Sequence, residues 1–446
     1  MKSRLAVAAA IALIVGTAGA AFAHDDGKGH VTPPSLENQE KEFENVVASD
    51  APDGSNAPKS FAPCIEGKAA KTFPCDGVDM MSHLTLDDLG LSFANDIWGW
   101  IDPVTSREYA MVGGTEGTVF VDITDPRRPD VVGTLPTHSD EGPRFWRDIK
   151  VYADHAYIVS EHTGHGMQVF DLTRLRGVLG DPVTFDEDYD YAEVSNAHNL
   201  NINEDTGFAY LIGSNTCDGG LHMVDLQNPA VPEFAGCFSD HGYIHDTQCV
   251  VYDGPDTEHR GREICFSSAA TYYDFSAEGI DNTVSVVDVT DKNNPVALDL
   301  LEYEMDGYSH QGWLTPDQKF FLHNDELDEV FHDVSTTTRI FDVRDLDDIS
   351  VRAVTDNGQQ SIGHNLYTEG ARAYASNYTT GLRIFDTSKV ADGELPEIGY
   401  FDLYPENDNA SFEGGTWSNY PYYNSRSVAV SSIERGLFVL QPRGNR

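Results

Sequence analysis

Four histidines, His198, His245, His310 and His364, each stand directly before a polar residue, in His198-Asn199-Leu200, His245-Asp246-Thr247, His310-Gln311-Gly312 and His364-Asn365-Leu366. Imidazoles gathered in this number can bind a divalent transition metal, with a carboxylate or water completing the shell. Asp96 and Asp148 hold the second position of two kindred tripeptides, Asn95-Asp96-Ile97 and Arg147-Asp148-Ile149, and are the candidate carboxylates. The competing reading is structural: one polar residue reused at one position to hydrogen-bond a neighbouring repeat. Both readings stay open on the sequence, and with them the question of whether the chain is an enzyme.

All five tryptophans fall in or beside the same tripeptides: Trp98, Trp100, Trp146, Trp313 and Trp417. Exposed at a channel mouth they make platforms for sugar rings, whereas buried they fill wedge-shaped space between repeats. With Asn199, Gln311, Asn365 and Tyr420 they form a candidate ligand-binding mouth, whose acidic surroundings suit a neutral or cationic ligand. Glu161-His162-Thr163-Gly164-His165 falls on a hairpin, which excludes the zincin arrangement that needs both histidines on one helical face. No GxSxG elbow, phosphate-cradling glycine loop or dinucleotide fingerprint is present.

These residues need a scaffold that returns to one axis many times. A short β-like run recurs as Thr118–Asp122, Met167–Asp171, Leu221–Asp225, Val284–Asp288, Thr338–Asp342, Leu382–Asp386 and, without the aspartate, Gly436–Leu440. The tripeptide series has seven members too, completed by Trp417-Ser418-Asn419. Four short strands in each of seven repeats describe an all-β, seven-bladed β-propeller, with the first strand of each blade lining the channel. The last repeat runs out after its third strand, so an N-terminal strand within Ser82 to Phe93 is expected to close the ring. Asp122, Asp171, Asp225, Asp288, Asp342 and Asp386 read as turn caps, since no EF-type loop is present. The acidic stretches Asp181 to Asp190 and Asp325 to Glu329 read as solvated faces, where weak calcium binding is the one further metal reading.

The formal net charge of −44 rules out a partner held by its phosphates and argues against anionic lipid. Residues 1–23 follow the signal-peptide plan, basic at Lys2 and Arg4, apolar from Leu5 and ending in Ala21-Phe22-Ala23. Residues 24–80 read as an extended N-terminal arm and 81–446 as the propeller. No stretch is long and apolar enough for a transmembrane span. Cys64, Cys75, Cys217, Cys237, Cys249 and Cys265 form an even set without a CxxC pair, which in an exported chain reads as disulfides. Six cysteines allow fifteen pairings, of which the sequence-local one is expected: 64 with 75, 217 with 237 and 249 with 265.

The repeats resemble the LVIVD repeat, and the run from Ala94–Trp100 through His245–Val251 to Trp417–Pro421 is similar to the choice-of-anchor B family of secreted bacterial proteins. The resemblance covers about residues 60–446. It implies a β-propeller outside the cytoplasm and, in many members, a C-terminal surface anchor; the ending Gln441–Arg446 has no hydrophobic tail. It implies no settled activity. The expectation is a monomeric exported protein, extracellular, cell-surface or periplasmic, that binds a small molecule, glycan or partner protein and not nucleic acid. The alternative is a metal-dependent extracellular lyase or hydrolase acting on a polymer, with polysaccharide the class that suits the aromatic mouth.

Overall fold

The computed structural model describes residues 59–139, 141, 145–270 and 282–444. The expected signal peptide lies outside them. Among the described residues the strands form seven sheets, each built on four antiparallel strands, and Val183–Thr184 adds to the outer edge of the first in parallel. The innermost strands are Ala94–Ile101, Arg147–Tyr152, Asn199–Asn203, Ile244–Val251, Ser309–Leu314, Leu366–Glu369 and Thr416–Tyr420. Each neighbours the innermost strand of the blade on either side, and the seventh returns to the first. The chain is a seven-bladed β-propeller.

Burial explains the sequence pattern of each blade. Middle strands are covered by neighbouring blades on both faces, so Phe208–Ile212 and Val428–Ser432 read as nearly unbroken buried runs. Outer strands such as Ser350–Asp356 keep one face in solvent and alternate. Apolar clusters fill the wedges, as where Tyr157, Val169 and Leu200 join blades two and three.

The expected turn caps are present in all six copies. Asp122, Asp171, Asp225, Asp288, Asp342 and Asp386 each accept the backbone N–H two residues on, at 2.7 to 3.2 Å. Three also pair with an arginine: Asp122 with Arg107, Asp288 with Arg262 and Asp342 with Arg344.

Ring closure follows the expected logic with a different segment. Val78–Leu84 pairs antiparallel with Gly436–Pro442 as the outer strand of blade seven, starting at Val78 where the sequence suggested Ser82. The rest of the expected window holds a one-turn helix, Leu86–Leu89, because Thr85 and Asp88 form a reciprocal capping box there. Of the expected N-terminal arm, the described part is built into the ring. Phe73–Asp76 adds to the outer edge of blade six, and Phe73 is buried against Phe401 and Phe438. The three disulfides are Cys64–Cys75, Cys217–Cys237 and Cys249–Cys265, the sequence-local pairing. No helix of the described residues is long and apolar enough to cross a membrane.

Candidate metal centre in the channel

The channel has two ends of different chemistry. Residues just before an innermost strand share one end with residues just after the second strand, because the second strand runs back antiparallel to the first. The four histidines occupy that end. Their rings follow one another around the axis, with centroids 4.4 Å apart from His198 to His245, 4.4 Å to His310 and 4.3 Å to His364. Tryptophans flank the arc: Trp417 lies 4.7 Å from His364 and Trp146 lies 6.5 Å from His198.

Every one of the four rings is oriented through Nδ1. His198 donates to Glu161 at 2.6 Å, His245 to the carbonyl of His310 at 2.8 Å, His310 to Asn324 Oδ1 at 3.1 Å and His364 to the carbonyl of Trp417 at 2.5 Å. Asn324 is held in turn by its amide donation to the carbonyl of His364. Each Nε2 is thereby left as the ring's second coordinating atom, the arrangement found behind metal-binding histidines. Burial drives His245 and His310 well below the usual imidazole range, helped by the neighbouring rings, and lowers His364 to about 3. These three are neutral, as coordination requires. Burial works against a charged His198 too, but its hydrogen bond to Glu161 and that carboxylate's charge outweigh it, and its pKa is raised.

Two of the four, not all, share one carboxylate between their Nε2 atoms. His310, His364 and Glu326 bring their ligand atoms within 4.8 Å of one another. Glu326 lies 3.9 Å from His310 Nε2 and 3.7 Å from His364 Nε2. Bonds of roughly 2.0–2.1 Å in a tetrahedron put ligand atoms about 3.4 Å apart, so small side-chain shifts suffice. Burial pushes Glu326 up to about 7, and Tyr378 donates to it at 2.9 Å. A second group, Asp256, His259 and Asp347, lies at the outer rim, where His259 pairs with Asp347 at 2.9 Å.

Glu326 was missed because its stretch reads as a solvated face. The structure corrects this: Asp325, Glu326, Asp328 and Glu329 are all buried. Asp325 accepts from the backbone of Gly307, Tyr308 and Leu327 and from Tyr303, while Asp328 pairs with buried Arg339 at 2.8 Å. The signal that could have found Glu326 and Glu161 is topological: both directly follow a second strand, Phe320–Asp325 and His155–Ser160, and so return to the histidine end.

Asp96 and Asp148 do not join the histidines. They sit further along the channel around buried Lys150, at 3.9 and 2.5 Å. Each also accepts a backbone N–H from the next blade, Asp96 from Ile149 at 3.3 Å and Asp148 from Leu200 at 2.7 Å. That stitch recurs at Gln311, which bonds both the N–H and the carbonyl of Leu366. Asn199 donates to the carbonyl of His245 and Asn365 to Ser418 Oγ. The second position of the tripeptide is therefore an inter-blade fastener at Asp96, Asp148, Asn199, Gln311 and Asn365, whereas Asp246 accepts from its own neighbour Thr247 at 2.6 Å.

The single aromatic mouth expected from the sequence is divided. Trp146 and Trp417 belong to the histidine end, and Trp100 is buried against Tyr109 with its Nε1–H donated to Asp154. Trp98, Trp313 and Tyr420 line a cavity at the opposite end.

No family model matches the chain, and no curated protein matches its sequence. Solved structures do match it. The U3-55K structure covers 84% of this chain and 99% of its own at 9% identity, with a TM-score of 0.52. A Lactobacillus plantarum protein matches over 76% of this chain and 88% of its own at 15% identity, TM-score 0.48. The Myceliophteria thermophila Cps50 (Swd1) β-propeller domain matches over 79% and 96% at 10% identity, TM-score 0.48. The likeness is one of fold alone.

Proposed function

We propose that this protein is an exported binding propeller that holds a divalent transition metal at the histidine end of its channel. His310, His364 and Glu326 are the ligands, and His245 lies beside them on the arc. A two-histidine, one-carboxylate set suits zinc. The observation that carries the reading is that all four imidazoles, on four successive blades, are pinned through Nδ1. A purely structural histidine has no need to present the same atom each time. Three disulfides fit an oxidising compartment.

The test is elemental analysis and zinc titration of the mature chain, purified without a histidine tag. One equivalent bound in the wild type and none in H310A/H364A supports the site; no uptake by the wild type overturns it. A catalytic reading, a metal-dependent lyase or hydrolase, is favoured by the count of three ligands, which leaves a coordination position for water or substrate. It requires that release of products from polysaccharides be lost on chelation and regained with zinc.

A further inference from the structure

We infer that the opposite end of the channel is a binding site for a neutral sugar unit, separate from the histidine end. All seven blades contribute to a cavity of about 450 Å³ there, within the range of small-ligand sites. Its two sides carry complementary chemistry.

One side is aromatic and rigid. Trp98 meets Tyr420 edge-to-face at 5.1 Å, and Tyr420 meets Tyr422 edge-to-face at 5.2 Å. Buried Tyr367 stands behind, edge-on to Trp98 at 5.6 Å and to Trp313 at 5.0 Å. Edge-to-face packing fixes these rings without stacking them face on face. Trp98 and Tyr420 are buried, and Trp313 and Tyr422 are the rings left partly open to the cavity, where the C–H face of a pyranose can pack.

The other side holds amides whose orientation is set by the ring itself. Asn201 Oδ1 accepts the N–H of Cys249 at 3.0 Å, and Gln248 Oε1 accepts the N–H of Leu314 at 2.8 Å. Both side chains line the cavity. Their oxygens are committed between blades, so each presents an NH₂ group that no acceptor among the described residues takes. Asn201 is only 3% exposed and lines the cavity. Two fixed donors opposite an aromatic wall match the hydroxyl oxygens of a sugar.

Charge narrows the class. Glu204 and Asp205 line the cavity, and Asp96, Asp148 and Asp246 lie around Lys150 beside it. Glu204 and Asp205, at the lining itself, disfavour an anionic sugar such as a uronate. Lys150 is already engaged, by Asp148 and by the face of Trp98 at 4.5 Å. The carboxylates at Glu204 and Asp205 can accept from hydroxyls that point outward.

Calorimetry on the untagged mature chain with neutral gluco-, manno-, galacto-, xylo- and chito-oligosaccharides of two to four units tests the site. Galacturonate oligomers and spermidine form the anionic and cationic arms. The expected result is saturable binding of a neutral oligosaccharide, weakened about tenfold by N201D or Q248E. Each of these keeps an oxygen to accept Cys249 or Leu314 and turns the free donor into a negatively charged acceptor. W313A should weaken it further. The affinity should be unchanged by chelator, which separates this site from the metal reading. No neutral oligosaccharide bound at millimolar concentration, binding of spermidine or galacturonate alone, or full affinity in N201D, Q248E and W313A would overturn it.

Discussion

His364 donates its Nδ1–H to the main-chain carbonyl of Trp417 at 2.5 Å, across the boundary between blades six and seven. The contact does two things at once. It fastens neighbouring innermost strands, and it turns Nε2 toward Glu326, 3.7 Å away. Fold stability and site geometry therefore share one hydrogen bond, so substitutions here must separate metal affinity from unfolding.

Asn324 permits that separation. It orients His310 through Oδ1 and reaches the carbonyl of His364 through its amide, without being a ligand itself. N324A should lower zinc affinity by roughly 10–100-fold, as measured by competition with a chromogenic chelator. E326Q keeps the acceptor for Tyr378 but removes the anionic ligand, and should lose more.

Acid should weaken the fold through His83. Its ring is buried, stacks on Phe438 at 4.1 Å and donates Nε2–H to the carbonyl of Arg435, leaving Nδ1 without a partner among the described residues. Burial lowers its pKa from 6.5 to about 4. Above pH 6.5 neither state is protonated and stability is at its plateau; between 6.5 and about 4 the unfolded chain takes up the proton first, so stability falls. The loss is on the order of 3 kcal/mol. Denaturant midpoints against pH for wild type and H83Q check this, and the variant should show a shallower slope in that window.

Gly99 marks the tightest approach between blades one and seven. A Cβ there would meet the Tyr420 ring at 2.2 and 2.4 Å and the Tyr423 hydroxyl at 2.7 Å. G99A should cost about 1–3 kcal/mol in chemical unfolding and disturb the aromatic wall. A midpoint equal to wild type would show that the rings can move aside.

The disulfide Cys249–Cys265 ties the first two strands of blade four directly across the sheet and closes a loop of sequence separation 16. Replacing both cysteines by alanine should lower stability by about 3 kcal/mol, read from urea unfolding under non-reducing conditions. Cys249 also supplies the N–H that orients Asn201, but that group is backbone and survives the substitution.

The architecture was legible because a propeller repeats. Each blade needs the same turn after its third strand, so Asp122 and its five counterparts recur, and each innermost strand needs a fastener, so the tripeptide recurs. Disulfide pairing was legible because cysteines close in sequence lie on one blade or one edge. The closing strand was placed late because nothing in Val78–Leu84 distinguishes an outer strand from the capping segment that follows.

The residues of the chain by themselves determined seven blades, closure from the N-terminal side, and a return of His198, His245, His310 and His364 to one end of an axis. Tertiary structure alone decided which side chains meet. Glu326 joins His310 and His364 because an antiparallel partner brings the end of one strand beside the start of the next, and its burial hides an acidic stretch that composition assigns to solvent. Asp96 and Asp148 are turned from the histidines because each accepts a backbone N–H of the next blade, from Ile149 and Leu200, beside Lys150. The tryptophans divide by their place along the innermost strand: Trp146 and Trp417 stand just before or near its start, at the histidine end, whereas Trp98 and Trp313 lie further along it and line the cavity at the opposite end.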